Sequence, residues 1–347
     1  EGITVNGMKQ GCWIFYDDEG ALFAESEYEN DTLNGLWLQY DQEAIVAVGM
    51  FRLGLKEGLW VTNYPSGVRE SEGEYLLGKE HGIWKEYFEN GQLAIQIPYV
   101  EGLRHGEVIR YFSDGQKEAT LFYLMDALEG EHLKYYPDGT LALRAFYEDD
   151  SLNGVWQDYY PNGKLSESGK YLADQPHGKW TEFYPNGQRK QSEVWQNGML
   201  QSIDKCFTFD GIELDGGNLK NGTGERLFYS DSGVLEAKAT YELGLLHGKY
   251  YEYYPDRQVF MIKNYINDLA EGESKTFHED GKLASRGYYE ADYLKGAYQE
   301  YSETGKISLI GYYSGGKNSE RDSVWTTYHE NGVVESEVMY KNGKREG

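Results

Sequence analysis

Four of the seven histidines recur at one place: His81, His105, His177 and His247 each stand immediately before a glycine. Imidazoles repeated at fixed spacing could form a ladder of metal ligands, with His81 and His105 as the neighbouring pair. The repetition itself explains these residues without a metal. The other three, His132, His278 and His329, have no cysteine or histidine at ligand spacing. Carboxylates gather at Asp17-Asp18-Glu19-Gly20 and at Glu148-Asp149-Asp150. Neither run has the alternating ligand spacing of a calcium loop, so both read as solvated turn residues. Cys12 and Cys206 lie eight repeats apart and sit in no metal or redox motif. A phosphate loop, a nucleophile elbow and a zinc-protease helix are all missing from the sequence. The expectation is a non-enzyme with no catalytic residues, no metal and no cofactor. What remains is aromatic chemistry. Tyr64, Phe88, Phe112, Tyr136, Tyr160, Tyr184 and Tyr254 recur as a stripe. Such a stripe could grip a protein partner, because tyrosine is favoured at interfaces, or it could stack on sugars. The alternative is that each ring packs on its own turn against the proline that often follows, as at Pro65, Pro137, Pro161, Pro185 and Pro255.

These residues are positioned by a period of about 24 residues that runs through the chain. Gly35, Gly58, Gly82, Gly106, Gly130, Gly154 and Gly178 mark one beat, and Gly224, Gly248, Gly272 and Gly296 continue it. About 14 units fall between Gly11 and Gly347, with Ser202 and Ser323 in place of the marker glycine. Taking the marker as zero, an aromatic stands at plus two (Trp37, Trp60, Trp84, Trp156, Trp180) and another at plus five. The stripe is plus six, a turn glycine is plus nine, leucine is frequent at plus eleven, and a last aromatic falls at plus seventeen.

Each unit reads as a β-hairpin. Asp138-Gly139, Asn162-Gly163 and Asn186-Gly187 supply the positive φ angles of tight turns. Between turns the pattern alternates: Leu165, Glu167, Gly169 and Tyr171 share one face, with polar residues between them. A small residue two before the plus-seventeen aromatic (Gly73, Ala145, Gly169, Ala239, Gly287, Gly311) leaves room for a neighbouring tryptophan to lie flat. No run has apolar residues at helical spacing. The fold class is therefore all-β: an elongated array of about 14 hairpin repeats forming one twisted antiparallel meander. About 28 strands at roughly 4.8 Å each give a path of roughly 130 Å. Residues 1–201 and 224–347 are read as two arrays joined by a degenerate repeat, 202–223, that kinks the ribbon. A second lapse, between Ser314 and Ser323, adds three residues to a turn and reads as a surface loop.

The chain carries 58 acidic and 33 basic side chains, a formal charge of −25, with 15% aromatics. Such acidity argues against nucleic acid and anionic membranes as partners. It fits a basic protein partner, and it equally fits a repetitive ribbon kept soluble with unsociable edges. The sequence has no apolar run long enough to span a membrane as a helix. It begins at Glu1 rather than Met, as a processed protein or a portion of a longer one would, and the compartment stays open between cytoplasmic and exported.

The run Gly154-Val-Trp-Gln-Asp-Tyr-Tyr-Pro-Asn-Gly163, its echo Gly178 to Gly187, and the second turn leading into His-Gly at Glu101 to Gly106 and Glu242 to Gly248 resemble the MORN repeat. The resemblance is to the bacterial variant in YwqK-type antitoxin-like proteins. It implies a ribbon of hairpins that binds a protein partner as a scaffold, with an antitoxin-like role. Binding of a glycan or a cell surface through the aromatic stripe is the alternative.

Overall fold

The computed structural model describes residues 1–316 and 318–346. Among them are 33 β-strands and no helix, so the chain is all-β, an array of hairpin repeats. The closing marker, Gly347, lies outside the described residues, as does Lys317 in the lengthened turn after Ser314. The strands fall into two compact units, Glu1–Asp174 and Gln175–Gly347.

In the first unit successive strands pair antiparallel in an open meander. The hairpin of Ser151–Tyr159 and Leu165–Leu172 shows the register. Gly154 faces Tyr171, Trp156 faces Gly169, Asp158 faces Glu167, and a bulge then brings Tyr159 opposite Leu165. The Pro-Asn-Gly turn differs from a two-residue hairpin turn. Gly163 donates its N–H to Tyr160 O at 2.8 Å, Tyr160 donates to Lys164 O at 2.8 Å, and Gly163 alone takes positive φ (77°). This is a type I turn completed by a left-handed glycine; the φ fixed by Pro161 suits its first corner and bars the mirror-image turn.

The mirror-image turn occurs at the opposite hairpin end, where Asp149 and Asp150 have φ of 47° and 64°, and Ala173 and Asp174 of 48° and 63°. The second aspartate also reaches the neighbouring repeat. Asp150 Oδ1 accepts the Leu128 N–H at 2.7 Å, Asp174 Oδ1 that of Leu152 at 2.8 Å, and Asp126 Oδ1 that of Arg104 at 2.9 Å. The acidic turn Glu148-Asp149-Asp150 is thus not merely solvated. Part of the negative charge clips one hairpin to the next, since a charged acceptor strengthens a hydrogen bond to backbone.

The core is one face of this ribbon. Trp37, Phe51, Trp60, Tyr75, Trp84 and Tyr99 pack edge to face in sequence, with ring centroids 5.0–6.4 Å apart. Trp60 and Trp84 lie flat over the glycine of the preceding hairpin, as their spacing predicts. A Cβ on Gly73 would stand 2.0 Å from the Trp84 ring, and one on Gly49 would stand 2.1 Å from Trp60. From that seat Trp84 Nε1 donates to Glu74 O and Trp60 Nε1 to Met50 O, both at 3.1 Å. Where Ala145 replaces the glycine, Trp156 Nε1 donates instead to Asp158 Oδ2 at 3.0 Å.

The second unit repeats the plan: Tyr298, Tyr313, Trp325 and Tyr340 continue edge to face, and Trp325 covers Gly311. Its regular ladder lapses between Glu213–Leu214 and Gly224–Tyr229. There Gly217 bridges Arg226, and a Cβ on Gly217 would fall 2.2 Å from Glu225 O, so only glycine allows the approach. Both hairpin edges nevertheless stay in step through the lapse. Gly222 N–H donates to Gln201 O and Gly244 N–H to Gly222 O, each at 2.8 Å, while Tyr184 Oη donates to Phe207 O at 2.9 Å.

At the lapse Arg226 stands where the repeat places its tryptophan, and Glu193 where it places its small residue. The two side chains, 12% and 10% exposed, form a buried ion pair. Glu193 also accepts from Trp195 Nε1 at 2.9 Å and Gln191 Nε2 at 3.1 Å, and the Arg226 guanidinium lies 4.3 Å from the Phe228 ring centroid. Burial raises the Glu193 carboxyl above its ordinary range although Arg226 pulls it down.

Candidate functional site

The plus-six stripe starts the Pro-Asn-Gly turns, and its hydroxyls are engaged within the array. Tyr64 Oη donates to Tyr87 O and Tyr136 Oη to Tyr159 O, both at 2.7 Å. Tyr184 donates to Phe207 O at 2.9 Å and Tyr254 to Phe277 O at 2.8 Å. Each bond joins one turn to the plus-five carbonyl of the next repeat. His278 holds the same place, with Nε2 2.8 Å from Tyr301 O. Tyr64, Phe88, Phe112, Tyr136, Tyr160 and Tyr254 are half-buried and Tyr184 is buried. Tyr184 and Tyr254 also pack edge to face on Phe209 and Phe260, at 5.4 and 5.2 Å. Tyr136→Phe is therefore expected to lower stability by about 1 kcal/mol, the net worth of one such hydrogen bond. A urea melt of the full chain reads this; an unchanged midpoint would show the hydroxyl bond to be idle.

A broad exposed surface lies on the other face, and the sequence carries its signal: the residue before each tryptophan must point away from the core. Leu36, Leu59 and Ile83 occupy that position, 42%, 58% and 54% exposed. Met50, 55% exposed, is paired with Leu36, and Pro98 with Ile83. Apolar side chains thus line consecutive hairpins of the first unit on the outer face. In the second unit Val324 and Met339, 42% and 44% exposed, make the same cross-strand pair behind Trp325.

His247 faces Glu242 at 3.4 Å, and among the described residues no three His, Cys, Asp or Glu side chains gather as a metal site. Cys12 is exposed and Cys206 buried, both as free thiols. His132 differs from all of these. It holds the tryptophan position of its repeat, is buried, and has neither ring nitrogen hydrogen-bonded. Burial pushes its pKa from 6.5 down to about 4, with Lys134 adding to the shift. The folded state thus binds this proton less readily than the unfolded chain. The site costs nothing above pH 6.5, and stability falls progressively as the pH drops toward about 4. The loss approaches about 3 kcal/mol. In His132→Phe the stability difference from the native chain should shift in the variant's favour by that amount between pH 7 and pH 4, read by melts at each pH. A constant difference would show that His132 is not buried neutral.

An open array of antiparallel hairpins, many of them carrying a tryptophan against a small residue of the neighbouring hairpin, defines a β-hairpin repeat protein. The MORN repeat variant family matches residues 9–30, 80–101, 128–149, 152–173, 176–197, 223–243, 270–291 and 321–342, together half of the chain, and the chain belongs to that family. No curated protein matches it. Among solved structures it is similar to the TcdB2-TccC3-Cdc42 structure at 11% identity, covering 96% of this chain and 22% of that one, with a TM-score of 0.14. The Photorhabdus luminescens Tc holotoxin pore with the TccC3-D651A mutation aligns at 11% identity over 95% of this chain and 22% of that one, also at 0.14. The chain spans about a fifth of the length of these structures, and TM-scores this low carry no argument about fold or function.

Proposed function

We propose that the chain is a non-catalytic protein-binding scaffold that docks its partner on the outer face of the hairpins. The observation that carries this reading is the apolar row Leu36, Met50, Leu59 and Ile83, exposed on a chain of formal charge −25. Exposed apolar side chains lined up on neighbouring strands mark an interaction surface, and surrounding carboxylates select a basic partner and speed its approach. The plus-six rings then fix the spacing of that surface, because their hydroxyls tie turn to turn. The committed hydroxyls weigh against the stripe as a sugar-stacking platform. An antitoxin-like role, in which the bound basic protein is a toxin held inactive, is the finer form of the proposal and follows the MORN-type resemblance.

The test is affinity capture on the immobilised chain, eluted in steps of rising salt and read by mass spectrometry. A basic protein held at low salt and released as ionic strength rises supports the proposal. Binding of neutral glycans, unaffected by salt and with no protein retained, would replace it.

A further inference from the structure

The ring ladder of the first unit has one gap. Two consecutive repeats lack the tryptophan, carrying Val108 and His132 in its place. Edge-to-face packing stops at Trp84–Tyr99 and resumes at Trp156–Tyr171, with a tilted His132–Tyr147 contact at 5.9 Å between them. A groove of about 570 Å³ opens at this gap. Its apolar walls include Phe112, Leu121 and Tyr136, and its polar ones His132, Arg110, Lys134 and Glu118. Arg110 is held by Glu118 at 3.5 Å, whereas Lys134 has no ion-pair partner among the described residues. Both nitrogens of the buried His132 ring lack a hydrogen-bond partner.

We propose that this groove is a binding site for a planar aromatic acid. Leu121 and His132 take the places of the small residue and the tryptophan here; a flat ring fits the groove that remains between Leu121, Phe112 and Tyr136, and the volume suits one small ligand. The carboxylate would meet Lys134, which makes no ion pair among the described residues although its charge also acts on Asp158, with Arg110 beside it. Neutral His132 offers one donor and one acceptor, and rotation about its Cβ–Cγ bond changes which ring edge faces the groove. A polar group of the ligand satisfies a nitrogen that the protein leaves unpaired. Glu118 lines the groove but is taken up by Arg110, which leaves Lys134 to favour an anion over a cation. The site is independent of the outer apolar face.

The test uses the full chain with ¹⁵N-labelled histidine, titrated with indole-3-carboxylate and separately with indole. The expected result is a saturable shift of the His132 ring resonances alone among the seven histidines, half-complete below about 1 mM, a free energy of about −4 kcal/mol. Neutral indole should bind at least about tenfold more weakly, and Lys134→Ala should narrow that difference. His132→Trp, which puts an indole into the groove, should abolish binding of the acid; Leu121→Trp, filling the groove from its other wall, should do the same if the first variant fails to fold. Absence of a saturable shift, or equal binding by the folded groove-filling variants, would overturn the proposal.

Discussion

Trp60→Ala is expected to lower unfolding free energy by about 3–5 kcal/mol, the range for removing a large buried aromatic. Trp60 is packed between Phe51 and Tyr75 at 5.2 and 5.9 Å, is covered by Lys56 at 4.3 Å, and donates its indole N–H to Met50 O. A hairpin cannot keep its own core, so the loss falls on both neighbours. Hydrogen exchange should therefore rise in strands Ala44–Arg52 and Arg69–Leu76 before it rises elsewhere. The complementary change is Gly49→Ala, whose methyl group would enter the indole ring. It should cost about 1–3 kcal/mol alone, as overpacking does, and almost nothing in the Trp60→Ala background. Additive losses from the two changes would show that the tryptophan does not depend on its glycine seat.

The second large effect is expected at the lapse in the second unit. Removing one partner of the Glu193–Arg226 pair leaves a buried charge with no counter-charge, so Glu193→Ala or Arg226→Ala should each cost about 3–5 kcal/mol. Replacing both together, as Glu193→Leu with Arg226→Met, should recover most of that loss, because a well-packed apolar pair avoids the desolvation cost. The double variant also removes a carboxyl whose pKa burial has raised. Urea midpoints of the three variants decide the matter. A double variant no better than the singles would mean that the pair orders the degenerate repeat in a way apolar packing cannot replace.

The hairpins, their period and the tryptophan seat were legible from spacing alone, because Gly73 and Trp84 each repeat at a fixed offset and only a bare Cα admits a flat indole. The contacts that join one hairpin to the next were less visible. Asp150 reaches a backbone N–H 22 residues earlier, and Tyr136 a carbonyl 23 residues later. Periodicity marks both as turn residues without revealing that neighbouring turns touch. The partners Glu193 and Arg226 are 33 positions apart, beyond a single repeat, so a one-repeat comparison misses them. The outer apolar row is hard to see in the sequence because Leu36, Leu59 and Ile83, each directly before a tryptophan, do not recur in every repeat: Lys179 and Cys12 hold the same place.

One face of the ribbon builds the fold and the other, on the proposed function, binds. Leu36→Ser, Leu59→Ser and Ile83→Ser combined in one chain test that division directly, by melting temperature and by capture of the proteins retained by the native chain. The prediction is a melting temperature within a few degrees of native and loss of the salt-released partner. Full capture by the triple variant, or collapse of its melting temperature, would contradict it.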